Sequence, residues 1–209
     1  MDRHSPTRRD RLRLQMLTDI IAMARMQLWV GGANAISVRA IAREVGVTPA
    51  AIYRYFPSLN ALICTMQDEI LNELCAEIES ARDQSADESP AIRLGAMART
   101  FRKWALDHPA EFRFALGTGQ EQPGKTSADH GKPSARILKL ASIFLAEFAR
   151  PLQHRAASRT FLSVWVKLYG LVTIEVSGDL KWMLADIEDL FEIMMAELDE
   201  QLPHKSGPP

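Results

Sequence analysis

The sequence predicts an all-α protein: a three-helix module carrying a helix-turn-helix, then a larger helical body, about nine helices in all. Three observations carry this. Apolar residues recur at steps of three and four along most of the 209 residues. Thr48-Pro49 and Ser89-Pro90 each pair a helix N-cap with a proline whose missing N–H costs nothing in a first turn. Glycines close the segments, at Gly31 and Gly32, Gly46, Gly117 and Gly178.

In chain order, residues 1–9 read as a disordered basic arm. Its Arg3, Arg8 and Arg9 either lie in a DNA minor groove or stay solvated. From about Asp10, the stripe Leu14, Leu17, Ile21, Ala24 and Leu28 predicts a helix, ended by Gly31 and Gly32. Residues 37–56 organise the chain. Ser37 is an N-cap, and Val38, Ile41, Ala42 and Val45 supply an apolar face. Gly46 takes the positive φ that a C-terminal cap requires. Thr48 and Pro49 open a second helix, which Ile52 and Phe56 turn onto the first. Ala50, Ala51, Tyr53, Arg54 and Tyr55 are left facing outward.

That outer face has the chemistry to enter a major groove. Two alanines let the backbone approach base edges and thymine methyls. Arg54 can fork onto guanine or grip a phosphate, and Thr48, Tyr53 and Tyr55 can donate to phosphates. The plain alternative is a helical hairpin with exposed tyrosines.

Ser58 caps a long helix to about Ala81, with a mixed stripe of Leu62, Met66, Glu69, Ile70, Glu73, Leu74, Glu77 and Ile78. No linker separates it from the preceding helix, so it is read as a rigid lever. Residues 82–89 form a polar loop. Leu94, Met97, Ala98, Phe101, Trp104 and Ala105 stripe the next helix. His108-Pro109 breaks it and opens a short helix to Leu116. Residues 117–133 form a long irregular segment. Its Gly-Thr-Gly lacks the further glycine or Gly-Lys-Thr of a phosphate loop. A helix from Ser134 points Ile137, Leu140, Ala141, Phe144, Leu145 and Phe148 inward. Residues 155–176 are apolar on nearly every side, so a partner subunit is expected to cover what the chain's own core does not. The last helix, from about Ala185, carries Ile187, Leu190, Phe191, Met194 and Leu198 on one face. Together these two helices suit a four-helix homodimer contact.

Net charge is −1, but residues 1–60 hold nine Lys and Arg against four acids, and the remainder 16 against 22. A basic N-terminal module on an acidic body fits one end facing a polyanion. Cys64 and Cys75, on one helix, stand roughly 16 Å apart, too far for a shared disulfide or metal. Reduced thiols in a cytoplasmic protein follow. No signal peptide is visible, and the stretch 161–176 carries Lys167 and Glu175 and reads as too short to span a membrane. Five scattered histidines, with no HExxH, Cys-x-x-Cys or nucleophile elbow, leave no catalytic or metal residues to name and no cofactor to expect.

The runs Ile41-Ala42-Arg43-Glu44-Val45-Gly46-Val47 and Ile52-Tyr53-Arg54-Tyr55-Phe56-Pro57-Ser58, with Leu62, resemble the N-terminal domain of TetR-family transcriptional regulators. The resemblance covers roughly the first 65 residues. It implies that Ser37, Arg39, Thr48, Pro49, Ala50, Ala51, Tyr53, Arg54 and Tyr55 face double-stranded DNA. The position after Ser58 is commonly a phosphate-contacting lysine in that family and is Leu59 here. Trp165, Leu168, Tyr169, Gly170, Leu171 and Val172 resemble the "WHG" C-terminal domain of some of these regulators, with Tyr169 in place of the histidine.

The resemblance implies domains at 1–57 for DNA and 58–203 for effector and dimerisation, with 204–209 a tail. It also implies a pocket for a small hydrophobic or aromatic effector. Met97, Phe101, Trp104, Phe114, Phe144, Phe148, Trp165 and Tyr169 are its candidate lining, with core packing the alternative reading. The expected function is a ligand-responsive repressor on a near-palindromic operator. The alternative is a TetR-like ligand- or protein-binding module that reads no operator.

Overall fold

The computed structural model describes residues 7–117, 135–149, 154–178 and 187–202. Among these, nine α-helices and one 3-10 turn form, and no strand. Of the expected irregular segment 117–133 all but Gly117, and of the expected arm 1–9 residues 1–6, lie outside the described residues.

Residues up to Glu69 form one compact unit. Its first helix, α1 (Arg8–Gly31), starts earlier than Asp10 because Thr7 and Asp10 cap each other. The Thr7 backbone N–H and hydroxyl both donate to the Asp10 carboxylate, at 3.0 and 2.7 Å, and the Asp10 N–H donates back at 3.2 Å. Arg8 and Arg9 therefore belong to a helix, not to a disordered arm. The inward residues are Ile20, Ile21, Ala24 and Leu28. Leu14, expected inward, is 59% exposed, because α1 overruns the short helices packed against its second half.

A 3-10 turn (Ala33–Ala35) leads into α2 (Val38–Val45) and α3 (Pro49–Tyr53). The apolar face of α2 buries Val38, Ile41 and Ala42. Gly46 stands at φ 76°, ψ 30°, and its N–H closes onto the carbonyls of Ala42 and Arg43. Ile52 is fully buried and Phe56 nearly so, although α3 itself stops at Tyr53. The next helix, α4 (Leu59–Gln84), is capped by the Ser58 hydroxyl, which accepts from the Ala61 N–H at 3.0 Å. Leu62, Met66, Ile70, Leu74 and Ile78 are buried at every fourth position, and α4 outlasts the expected end at Ala81. The division between the two units falls inside it.

The second unit is built around α5 (Pro90–Asp107), which touches α6 (Pro109–Leu116), α7 (Ala135–Ala149), α8 (His154–Ser177) and α9 (Ile187–Gln201). All six residues of its expected stripe are buried. Ion pairs join these helices, and those of Arg93 and Arg102 are the most buried among the described residues. Arg93, at the start of α5, reaches Glu147 on α7 at 3.1 Å and the carbonyls of Ala86 and Glu88. Arg102 forks onto Glu175 of α8, at 2.7 and 2.9 Å, and onto Glu188 of α9, with its guanidinium also over the Phe191 ring. These carboxylates hold the Arg102 proton tighter than usual.

Two expectations about the last helices change. The segment Arg159–Ser177 is long and apolar enough by length and composition to cross a membrane, with mean hydropathy 1.2. It is nonetheless the helix against which α5, α7 and α9 pack. On α9 the inward residues are Phe191, Met194, Met195 and Leu198, while Leu190 is exposed beside Ile193. Cys75 is buried, and burial pushes its thiol up from the usual range.

Candidate nucleic-acid interface

The corner between α2 and α3 is fixed by backbone and caps. Ser37 accepts from the Ala40 N–H, and its own N–H donates to the Gln27 side chain of α1 at 2.8 Å. That bond pins the entry of α2 to the longer helix. Thr48 accepts from the Ala51 N–H at 3.2 Å, and Pro49 takes the first position of α3. Each such cap is worth about 0.5–2 kcal/mol, a large share of what a five-residue helix can muster.

With Ile52 buried, α3 turns Pro49, Ala50 and Tyr53 to the surface. Thr48, Pro49, Ala50, Tyr53 and Arg54 are exposed, and Arg39 is exposed on α2. Ser37, Ala51 and Tyr55 are half-buried. Tyr53 is 49% exposed. Tyr55 and Arg54 follow the helix proper and turn toward the first turns of α1. Leu59 is 37% exposed at the first position of α4 and brings no charge there.

Arg8, Arg9 and Arg13 line a cleft with Arg54 and Tyr55, and Arg13 was not singled out from the sequence. The signal was present: Thr7 and Asp10 stand three apart around a helix start, which puts Arg9 and Arg13 on one helical face.

The eight effector candidates lie in the second unit. Seven are buried and Tyr169 is half-buried. Trp165 is the hub: its ring stands 5.6–6.2 Å from those of Phe101, Phe144, Phe161 and Tyr169. Phe148 joins through Phe161, and Phe112 bridges Phe101 to Tyr169. At these spacings the rings are in contact, so any ligand among them would have to part them. Trp104 instead stacks on His108 at 5.0 Å. Met97 and Phe114 are buried. Phe112 and Phe161 were missed, although Phe161, Trp165 and Tyr169 repeat at every fourth residue. The Tyr169 hydroxyl donates to the Leu116 carbonyl, and burial pushes its pKa up to about 12. Among the described residues no three His, Cys, Asp or Glu side chains gather as a metal site.

Two capped short helices at a glycine corner, presenting polar and aromatic side chains on the second, define a helix-turn-helix regulator of transcription that binds DNA. Comparison with known proteins gives the family. Residues 20–63 match the bacterial regulatory proteins of the tetR family, and residues 94–198 match the Tetracyclin repressor-like C-terminal domain. The HTH-type transcriptional regulator Rv1816 of Mycobacterium tuberculosis is 37% identical, over 82% of this chain and 84% of its own. The solved structure of the regulatory protein SCO4313 superposes with a TM-score of 0.73 at 26% identity, covering 92% of this chain and 98% of that one. A TetR variant of Acinetobacter baumannii AYE, solved in complex with minocycline, shares the fold at a TM-score of 0.51 and 20% identity, over 87% of this chain and 91% of its own. The chain belongs to the TetR family.

Proposed function

We propose that this regulator is a homodimeric, ligand-responsive repressor of a near-palindromic operator. Residues 1–57 serve as its DNA module and 58–203 as its effector and dimerisation domain. The observation that carries the reading is the capped, outward face of α3. Ala50 and Ala51 are small enough to admit base edges, Tyr53 and Arg54 stand exposed beside them, and Thr48 and Pro49 lead in. Ser37, Arg39 and Tyr55 take phosphates around that face. Two such faces, about 34 Å apart, enter successive major grooves on one side of the duplex.

The second copy is seated on α8 and α9. Leu162 and Val166, one turn apart on α8, and Leu190 and Ile193 on α9 are exposed apolar residues on the two C-terminal helices. Burying such a surface is what an isologous four-helix contact does. It also accounts for the over-apolar α8 without a membrane, in keeping with a cytoplasmic protein. The effector is small and hydrophobic or aromatic, and it enters among the rings around Trp165 by separating them. Its binding moves α4, which carries residues of both units, and so changes the distance between reading helices. Ligand and DNA then compete through their differential affinity for two conformations.

The test is selection from a pool of duplexes taken from the gene's upstream region, read at two salt concentrations. The wild-type chain is expected to enrich a palindrome, and an Arg54→Ala, Tyr53→Phe variant is expected not to. If the wild type enriches nothing at low salt, the operator reading fails. The body is then a ligand- or protein-binding module.

A further inference from the structure

The first unit holds a cleft of about 870 Å³ between the start of α1 and the end of the helix-turn-helix. Arg8, Arg9, Asp10 and Arg13 line it from α1, and Arg54 and Tyr55 from the residues after α3. Four guanidinium groups thus face a single carboxylate. That carboxylate is already committed: Asp10 accepts both bonds from Thr7, and these hold its pKa below the usual carboxylate range. Among the described residues no ion pair is formed by Arg8, Arg9, Arg13 or Arg54, whereas Arg43, Arg82, Arg93, Arg99 and Arg102 all have carboxylate partners. Four positive charges against one carboxylate, which Arg9 and Arg13 share, leave a net excess of three, so the cleft is complementary to an anion. The guanidinium fork matches phosphate oxygens two at a time, and the Tyr55 hydroxyl adds a donor.

We infer that this cleft is a clamp for the phosphate backbone of the same duplex that α3 reads, a role that rests on the operator reading above. The anion comes from the duplex because the cleft and the reading face share a wall. Arg54 and Tyr55 directly follow Tyr53, so a phosphate held here belongs to the strand passing that helix. Arg9 and Arg13, one turn apart on α1, take one phosphate each. The clamp adds affinity and orientation without reading sequence. The N-terminal arginines therefore act through an ordered helix.

The test is a salt titration of full-length protein on a labelled duplex carrying the selected operator and on an unrelated duplex. Wild type is compared with Arg9→Gln, Arg13→Gln, and with Arg99→Gln as a control for charge alone. Loss of two phosphate contacts per protomer, four per dimer, should flatten the slope of log K against log salt by about three to four. Affinity should fall on both duplexes, while the ratio between them stays as in wild type. Arg99→Gln should leave the slope unchanged. Thermal unfolding of each variant shows whether the fold is kept, and a single Arg13→Gln, expected to show half the change in slope, covers a double variant that does not fold. An unchanged slope in a folded variant overturns the clamp. So does an unchanged slope accompanied by loss of stabilisation by inorganic phosphate at constant ionic strength, since the cleft then holds free phosphate. A wild-type chain that selects no operator defeats the reading of α3 instead, and the slope on the unrelated duplex still decides the clamp.

Discussion

The Tyr169 hydroxyl donates to the backbone carbonyl of Leu116, tying the middle of α8 to the last residue of α6. The phenol is set between the rings of Trp165 and Phe112, and burial pushes its pKa up to about 12. An unfolded tyrosine ionises near 10, so above that pH the unfolded chain sheds a proton that the folded chain keeps. Because burial keeps the folded phenol neutral, the folded state holds its full stability below pH 10 and loses it relative to the unfolded chain as pH rises toward 12. Urea unfolding across this window should show Tyr169→Phe with a shallower decline than wild type, by up to about 2–3 kcal/mol at the alkaline end. Equal slopes would mean that the phenol is not held as described.

Arg93 and Glu147 make a buried ion pair between α5 and α7, with Glu147 wholly shielded from solvent. Removing Arg93 takes from the buried Glu147 carboxylate the guanidinium that faces it at 3.1 Å. Arg93→Ala should cost about 3–5 kcal/mol in chemical unfolding. Replacing both, as Arg93→Met with Glu147→Leu, should recover most of that loss, because the pair's gain largely offsets its own desolvation. A double replacement as damaging as the single one would show the pair to be worth far more than its burial costs.

Gly46 separates strain from crowding. Its backbone is left-handed at φ 76°, yet a Cβ built there meets nothing within 4 Å. Gly46→Ala should therefore destabilise by about 1–2 kcal/mol, the conformational cost alone. Gly46→Asn should cost less, since asparagine tolerates this region. Thermal unfolding of the two variants compares them. A larger loss with Asn than with Ala would contradict the account.

What was legible in the sequence was local. Thr48, Ser58 and Ser89 could be read as caps because a cap needs only its next three residues, and Gly46 as a stop because only its own φ matters. What was not legible depended on where an element ends up. Leu14 continues the stripe of α1, but the helices that would cover it pack further along. Leu190 sits on the periodic face of α9, yet α8 and α5 meet that helix one residue over, at Phe191 and Met194. Periodicity supplies a face and not its phase against a neighbour. The Arg93–Glu147 pair spans 54 positions, and nothing in either residue's surroundings announces the other. At the interface, the exposure of Ala50, Tyr53 and Arg54 followed from burying Ile52, whereas Ala51 and Tyr55, expected outward, are half-buried. The cleft between α1 and Arg54 depended on α1 beginning at Arg8 rather than Asp10.

Val166 is 67% exposed at the middle of α8, beside Leu162 on the same helix. If a second copy covers this face, Val166→Glu places a charge in a buried apolar contact. Sedimentation velocity should then show a monomer at concentrations where wild type is a dimer, with the helical circular dichroism signal of each chain retained. A variant that remains dimeric would move the contact elsewhere.

The most direct test of a dimer reading two half-sites changes only the DNA. Inserting roughly five base pairs between the halves of the selected palindrome turns one of them to the opposite side of the duplex, about half a helical turn. The account predicts that affinity falls to the level of a single half-site, and that a further insertion completing the turn fails to restore it fully, because the distance between the reading helices is set by the dimer. Unchanged affinity at every spacing would contradict it, since each α3 would then be binding DNA on its own.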